Sequence, residues 1–395
     1  MRILVNDYCG HPFQVQLSRA LAQRGHKVLH TYCASVPTPR GSLANRENEP
    51  SGFNVAAIFL SKPFNRYGLF TRAIQEMELG KLLVRQVDEF CPDVVLSANT
   101  PLGAQSALLR KCRDMEIKFI FWVQDLLGVG IKNNVVKKLP ILGKGVGWYY
   151  VQLEESLLRK SDEVVVITED FCPSMTKARI NSNKVHVIYN WAPLYEVPLL
   201  PKSNPWSLEH GLEQKLCLLY SGTLGMKHNP ELLVELALNF REREDVRLVV
   251  ITEGLGADFL KKKKACYRLD NLLLMPFQPF EVLPMVLASA DVLIAILQPD
   301  AGVFAVPSKV LTYLCAKRPL LLAVPCENLA ARIVSENQAG IIVPPSDSKG
   351  FISAAKKLLD DSASRTSFAD NGRAYAELTF DIERITDRFE KILLS

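Results

Sequence analysis

The feature that most limits what this chain can fold into is an alternation that runs twice. In the first half, short apolar, β-branched runs stand at Arg2–Asn6, Lys27–Cys33, Val55–Leu60, Asp93–Ala98, Phe119–Gln124, Glu163–Thr168 and Val185–Tyr189. Helix-period patterns fall between them, at Val15–Arg24, Arg72–Phe90, Ala104–Asp114 and Gly147–Lys160. Continuous apolar strands separated by helices predict a parallel sheet covered on both faces.

Residues 192–213 interrupt the pattern with four prolines and little periodicity, so 192–214 reads as a linker. The alternation then restarts, with strands at Leu216–Ser221, Val246–Thr252, Leu272–Pro276, Val292–Leu297, Leu320–Val324 and Ile341–Val343. The expected fold class is α/β, with two Rossmann-like doubly wound domains, 1–191 and 215–378, facing a cleft. A final helix over 379–395 follows. Ligands in such sheets bind beyond the carboxyl ends of the strands, so the candidate residues are sought there.

Charge narrows the function. The chain of 395 residues carries a net charge of +5, too little to indicate a nucleic-acid binder. The excess is one-sided: residues 1–200 hold 24 basic and 18 acidic side chains, and residues 201–395 hold 23 and 24. Nine cysteines form no Cys-x-x-Cys pair, which points to free thiols in a reducing compartment and away from zinc. The longest apolar stretch, Val282–Leu297, is broken by Asp291 and is too short to span a bilayer. A cytoplasmic protein, soluble or peripheral on the inner face of the cell membrane, is the expectation.

Three strand exits in the second half carry phosphate-binding chemistry. Ser221-Gly222-Thr223-Leu224-Gly225-Met226-Lys227 lets the backbone turn tightly and places Lys227 near a helix start. Glu253-Gly254-Leu255-Gly256 is a second Gly-rich exit. In Pro307-Ser308-Lys309-Val310, Ser308 reads as a helix N-cap, and the amides of 308–310 with the Lys309 ammonium form a diphosphate cradle. A plain tight turn or a solvated cap accounts for each of these segments taken singly. In the first half, Asp125 ends the run Phe121-Trp122-Val123-Gln124-Asp125 and is a candidate base or acceptor-orienting carboxylate. His11, in Asp7-Tyr8-Cys9-Gly10-His11-Pro12, is a candidate contact to a donor or acceptor phosphate; the alternatives are a capping carboxylate and a surface histidine.

Two stretches mix basic and aromatic residues without acids. One is Ser61–Arg72, with Lys62 and Arg66. The other is Leu126–Leu153, with Lys132, Lys137, Lys138, Lys144, Trp148, Tyr149 and Tyr150. Both suit an anionic membrane surface or a lipid phosphate, and a solvated face is the plainer reading.

Taken in order, these segments resemble a known family. Arg24-Gly25-His26, Val123-Gln124-Asp125, Ile188-Tyr189-Asn190-Trp191, Ser221-Gly222-Thr223-Leu224-Gly225, Pro276-Phe277-Gln278-Pro279, Ala290-Asp291-Val292 and Pro307-Ser308-Lys309 resemble the GT-B glycosyltransferases of the family 4 type, near the bacterial branch that builds surface polysaccharides. The resemblance implies a nucleotide-sugar donor, UDP-linked, as substrate, with no cofactor and no metal. Gly222, Thr223 and Lys227 would approach its diphosphate from one side, and Pro307, Ser308, Lys309 and Val310 from the other. Glu253, Gly254 and Phe277 would border the nucleotide. His11 and Asp125 would serve a lipid-linked or oligosaccharide acceptor in the first half, and Lys309 would stabilise the leaving diphosphate. The resemblance further implies a hexosyl or N-acetylhexosaminyl transfer with retention, and a closing helix, Ile382–Leu394, that packs back on the first domain.

Two departures stand out. The places of the paired glutamates common in the family hold Phe304 and Thr312, and Thr223 stands where many members have arginine. Two rival readings stand beside this one, a GT-B-like sugar-nucleotide epimerase and, motivated by the missing glutamates, a non-catalytic glycosyltransferase-like partner subunit. The scarcity of acids argues against the epimerase.

Overall fold

The computed structural model describes the chain apart from residues 37, 39, 44–48, 65–68, 99, 139–141, 226–227 and 298–306 and the side chains of 69, 70 and 138. Lys227, Phe304 and Arg66, and the side chain of Lys138, therefore lie outside the described residues.

The chain divides into two compact units, residues 1–189 with 382–395, and residues 190–381. The first holds strands β1 (Arg2–Asp7), β2 (Lys27–Cys33), β3 (Phe53–Ile58), β4 (Val94–Ala98), β5 (Lys118–Val123), β6 (Glu163–Val166) and β7 (Val185–Val187). They form one parallel sheet in the order β3-β2-β1-β4-β5-β6-β7. The second holds β8 (Leu216–Ser221), β9 (Val246–Ile251), β10 (Leu272–Met275), β11 (Val292–Ile296), β12 (Leu320–Ala323) and β13 (Gly340–Val343), in the order β10-β9-β8-β11-β12-β13. Each strand lies within two residues of its expected place, because a strand buried on both faces needs apolar side chains at consecutive positions. Leu4, Val95, Phe119 and Val165 in one sheet, and Leu218, Val249, Ile294 and Leu321 in the other, are fully buried.

In the first sheet the strand order reverses between β1 and β4, and in the second between β8 and β11. In each sheet, taken by itself, the switch point is where such folds bind ligands, beyond the carboxyl end of β1 in the first and of β8 in the second. The turns leaving those two strands are the Asp7–His11 and Gly222–Gly225 segments.

The stretch 192–214, expected as a linker, is folded into the second unit. Asn204 caps a short helix, Pro205–Glu209, by accepting from the Trp206 and Ser207 amides at 3.0 and 3.1 Å. The Asn204 side-chain amide also donates to the Met285 carbonyl at 3.1 Å, and Trp206 is buried. Prolines remove periodicity from a sequence but not the ability to pack.

The last helix, Ile382–Leu394, belongs to the first unit. It buries Ile385, Phe389, Ile392 and Leu393. Arg24 pairs with Glu383, Asp387 and Glu390 at 2.9, 2.6 and 2.8 Å, and His26 Nε2 lies 2.7 Å from Glu390. Helices unread in the sequence, among them Leu127–Lys138, Leu255–Tyr267 and Ser362–Thr379, complete the picture. The first was hidden by two glycines and by a basic composition without an apolar stripe.

Candidate functional site

In the second unit the site forms around the exit of β8. Gly222 has φ +131°, a conformation that side chains disfavour, and its amide donates to the Ile251 carbonyl at 2.9 Å. A Cβ at this position would lie 3.0 Å from Lys309 Nζ. The glycine therefore supplies room for the lysine and no donor of its own. The Leu224 and Gly225 amides are also engaged, by Thr252 Oγ1 at 3.1 Å and His228 Nδ1 at 2.9 Å. Thr223 is the one residue of 222–225 whose amide takes no hydrogen bond among the described residues.

Lys309 lies in the first turn of the helix Ser308–Cys315. Its Nζ is sealed from solvent, has no hydrogen-bond partner among the described residues, and sits 3.7 Å from the centroid of the Tyr220 ring. Burial pulls its pKa down to about 7. Two tyrosines that the sequence reading missed hold this arrangement. The Tyr220 hydroxyl donates to the Thr223 carbonyl at 2.8 Å. The Tyr313 hydroxyl accepts from the Ser221 amide at 2.9 Å and donates to the Ser221 carbonyl at 3.0 Å. Each sits in an apolar run that reads as ordinary core.

Two expectations for this helix need correction. Pro307, not Ser308, precedes the first turn, and no side chain caps it. Ser308 is the exposed first residue of the helix, because the extended backbone that a cap requires falls on the proline. Val310 is fully buried and its amide donates to the Pro307 carbonyl at 3.0 Å, so it offers no group to a ligand. Only the amides of 308 and 309 remain of the expected triplet.

The neighbouring strand exit is tied to the same loop. Glu253 Oε1 accepts from the Phe277 amide at 3.1 Å, which joins these two expected residues. Gly254, at φ +86°, precedes the helix Leu255–Tyr267. At Gly256 a Cβ would come within 2.0 Å of the Leu224 carbonyl oxygen, so only glycine lets that helix start lie against the 222–225 turn.

In the first unit, Asp7 ends β1 and is fully buried. Its Oδ1 accepts from the Cys9 amide at 3.0 Å and lies 3.0 Å from His11 Nδ1, and its Oδ2 accepts from the His11 amide. Burial would lower the His11 pKa, but the Asp7 carboxylate, its hydrogen bond and the Asp125 charge raise it above the ordinary histidine value. Burial would raise Asp7, and the facing imidazole holds it below the usual carboxylate range. Asp125 is exposed, two residues before the helix Leu127–Lys138. The structure thus places His11 and Asp125 in one electrostatic neighbourhood, with Asp7 beneath. The strand-end position of Asp7, four residues before His11, was the available signal for it.

A second missed group is Glu154 on the helix Leu142–Lys160. It is buried and accepts from the Gly128 amide at 3.0 Å. Among the described residues, no group of three or more His, Cys, Asp or Glu side chains could hold a metal ion, and no helix is long and apolar enough to cross a membrane.

Comparison with known proteins assigns each part of the chain. Residues 14–194 match the model of Glycosyltransferase Family 4, and residues 205–375 match that of Glycosyl transferases group 1. WcaI of Escherichia coli K12, named for glycosyl transfer in colanic acid biosynthesis, is 24% identical over 259 residues, which span 64% of this chain and 62% of that protein. HepE of Anabaena, solved with UDP and glucose, superposes with a TM-score of 0.73 at 14% identity, covering 100% of this chain and 99% of that one. WaaG, a glycosyltransferase involved in lipopolysaccharide biosynthesis, gives 0.68 at 15% identity over 98% of each chain. At such identities the structural likeness speaks for the fold, and the two family models account for nearly all the sequence. The chain belongs to the GT-B glycosyltransferases of the family 4 type.

Proposed function

We propose that this protein is a glycosyltransferase that moves a sugar from a UDP-linked donor to a lipid-linked or oligosaccharide acceptor in surface-polysaccharide synthesis. The observation that carries this reading is Lys309. A buried amine with no partner among the described residues is costly unless a ligand satisfies it. It lies under a glycine turn at the switch point of the second sheet, where a diphosphate is the fitting anion. The UDP in the HepE structures and the polysaccharide roles in the names of WcaI and WaaG point the same way.

In this reading, breaking the sugar–phosphate bond leaves new negative charge on the diphosphate. The Thr223 amide, the orphan amides of Ser308 and Lys309, and the protonated Lys309 amine stabilise that charge. Glu253 and Phe277 border the nucleotide. Asp125 orients or deprotonates the acceptor hydroxyl. Retention at the anomeric carbon follows the family resemblance. The protein acts at the inner face of the cell membrane, where the helices Leu127–Lys138 and Leu142–Lys160 meet anionic lipid.

The deciding experiment is calorimetric binding of UDP, followed by transfer assays with membranes and a panel of UDP-sugars. Binding with transfer supports the reading. Binding without transfer favours the non-catalytic subunit, a reading for which Thr312, in the place of a family glutamate, speaks. Absence of both overturns the assignment.

A further inference from the structure

Asp7 is a fully buried carboxylate that no donor or acceptor role above uses. It stands at the carboxyl end of the strand beside the switch point of the first sheet. Three donors converge on it: the amides of Cys9 and His11, and the His11 ring. The carboxylate thus folds residues 8–11 about itself. Gly10 allows this turn with φ +78°, and a Cβ there would press within 2.8 Å of the Leu43 side chain.

The His11 ring is fixed on two sides. Its Nδ1 meets Asp7, and its centre lies 5.6 Å from that of the Phe13 ring, the two rings tilted by 45°. A carboxylate at Nδ1 fixes the tautomer and favours the charged ring. Among the described residues, the charged or titratable groups around it include Asp7 on β1, Asp125 after β5 and His30 on β2, with Arg40 beside Gly10. His30 is buried, and burial draws its pKa down to about 4, so it adds no positive charge near neutral pH. The histidine side chain is 25% exposed, whereas Asp7 is not exposed at all. The ring can thus meet a ligand while the carboxylate that holds it cannot.

We propose that Asp7 is a positioning residue that locks His11 by its Nδ1, making the turn after β1 a subsite for a phosphoryl group of the acceptor. The assignment of an acceptor to this unit rests on the glycosyltransferase reading; the Asp7–His11 dyad does not. A phosphoryl group suits the site because an imidazolium gives a charge-assisted hydrogen bond to phosphate oxygen. The same chemistry serves a lipid phosphate or a soluble one.

The test follows the His11 ring signal by NMR in the full-length chain, assigned by its loss in His11→Gln. In the unmodified protein it should titrate above the ordinary histidine value. In Asp7→Asn the titration should fall by about one unit or more, and Asp7→Glu should restore part of the shift. Two probes are added, inorganic pyrophosphate and phosphatidylcholine vesicles with and without phosphatidic acid. A response to pyrophosphate marks a soluble phosphate ligand, and a response only to the acidic vesicles marks a lipid one. Asp7→Asn should weaken whichever response occurs by about tenfold, the equivalent of one pKa unit.

The proposal falls if Asp7→Asn leaves the titration unchanged, or if neither probe moves the signal. Should that variant fail to fold, the unmodified protein still decides. Probe binding that is equal below and above the His11 titration overturns the proposal. Correct His11 behaviour without UDP binding would sink the transferase reading and leave the dyad standing. The converse result would do the opposite.

Discussion

The amine nitrogen of Lys309 lies 3.7 Å from the centre of the Tyr220 ring, shut off from water and with no acceptor among the described residues. An unsatisfied polar group of this kind costs about 1–3 kcal/mol, so the ligand-free fold holds the lysine at a loss. Replacing it with an apolar chain of similar shape should relieve that loss and remove the anion's partner. Lys309→Met should raise stability by about 1 kcal/mol in denaturant unfolding, and weaken UDP binding by about tenfold or more. Lower stability together with unchanged UDP affinity would refute a ligand-binding role for the lysine.

The same residue sets a pH dependence. Its pKa falls to about 7 in the folded protein against an ordinary 10.5. Between these values the unfolded chain binds the extra proton, so folding stability should rise with pH across that window. UDP binding draws the amine back to its charged form. Affinity should therefore weaken as pH rises above about 7, by up to about tenfold per unit. Calorimetry in buffers of different ionisation heat should show proton uptake near pH 8, absent in Lys309→Met. Buffer-independent heats would refute the coupling.

Glu154 behaves in the opposite sense. Burial pushes its carboxyl up to about 7, with Asp125 adding to the shift and the Gly128 and Leu127 amides opposing it. Between the ordinary 4.5 and about 7 the folded protein holds a proton that the unfolded chain has lost. Stability should therefore fall as pH rises through this window. Glu154→Gln keeps an acceptor for the Gly128 amide and carries no charge, so its unfolding midpoint should vary less between about pH 5 and about pH 7.5. Parallel curves for the two proteins would refute this account.

The final helix reaches the first unit's candidate site through a line of rings. Phe389 lies 4.8 Å from Trp122, Trp122 lies 5.7 Å from Phe13, and Phe13 lies 5.6 Å from His11. Phe389→Ala should cost about 3–5 kcal/mol by the cavity it leaves. The loss should appear in unfolding of the first unit, and the His11 NMR signal should shift. A cost below about 1 kcal/mol would show that the helix contributes little.

The helix Leu142–Lys160 exposes Leu142 by 73%, Trp148 by 65% and Tyr149 by 56%. Lys132, Lys137 and Lys144 are exposed on this helix and its predecessor. Gly143 and Gly147 let the two helices lie together, since a Cβ at either would strike the Val135 carbonyl or Lys132. Binding to anionic vesicles should weaken with salt and fall when Lys62, Lys137 and Lys144 are neutralised. Equal binding to neutral vesicles would reduce the basic excess of the first half to ordinary surface charge.

The sequence by itself determined the strands, the doubly wound class and the turns that carry Gly222, Thr223 and Lys309. These follow from local properties: runs of apolar residues make buried strands, and glycines mark strand exits at switch points. The family resemblance followed from the same segments. It also determined that residues 1–200 hold the positive excess.

Tertiary structure alone decided what those residues meet. Ser308 lost its capping role and Val310 its free amide because the proline before them took the cap position. Residues 192–214 joined a core because Asn204 found Met285 and Ser289. Lys309 became a buried amine only where β8 and the helix Ser308–Cys315 close around Tyr220. Burial and charge pairing arise between segments far apart in the chain, and no local pattern records which of them will meet.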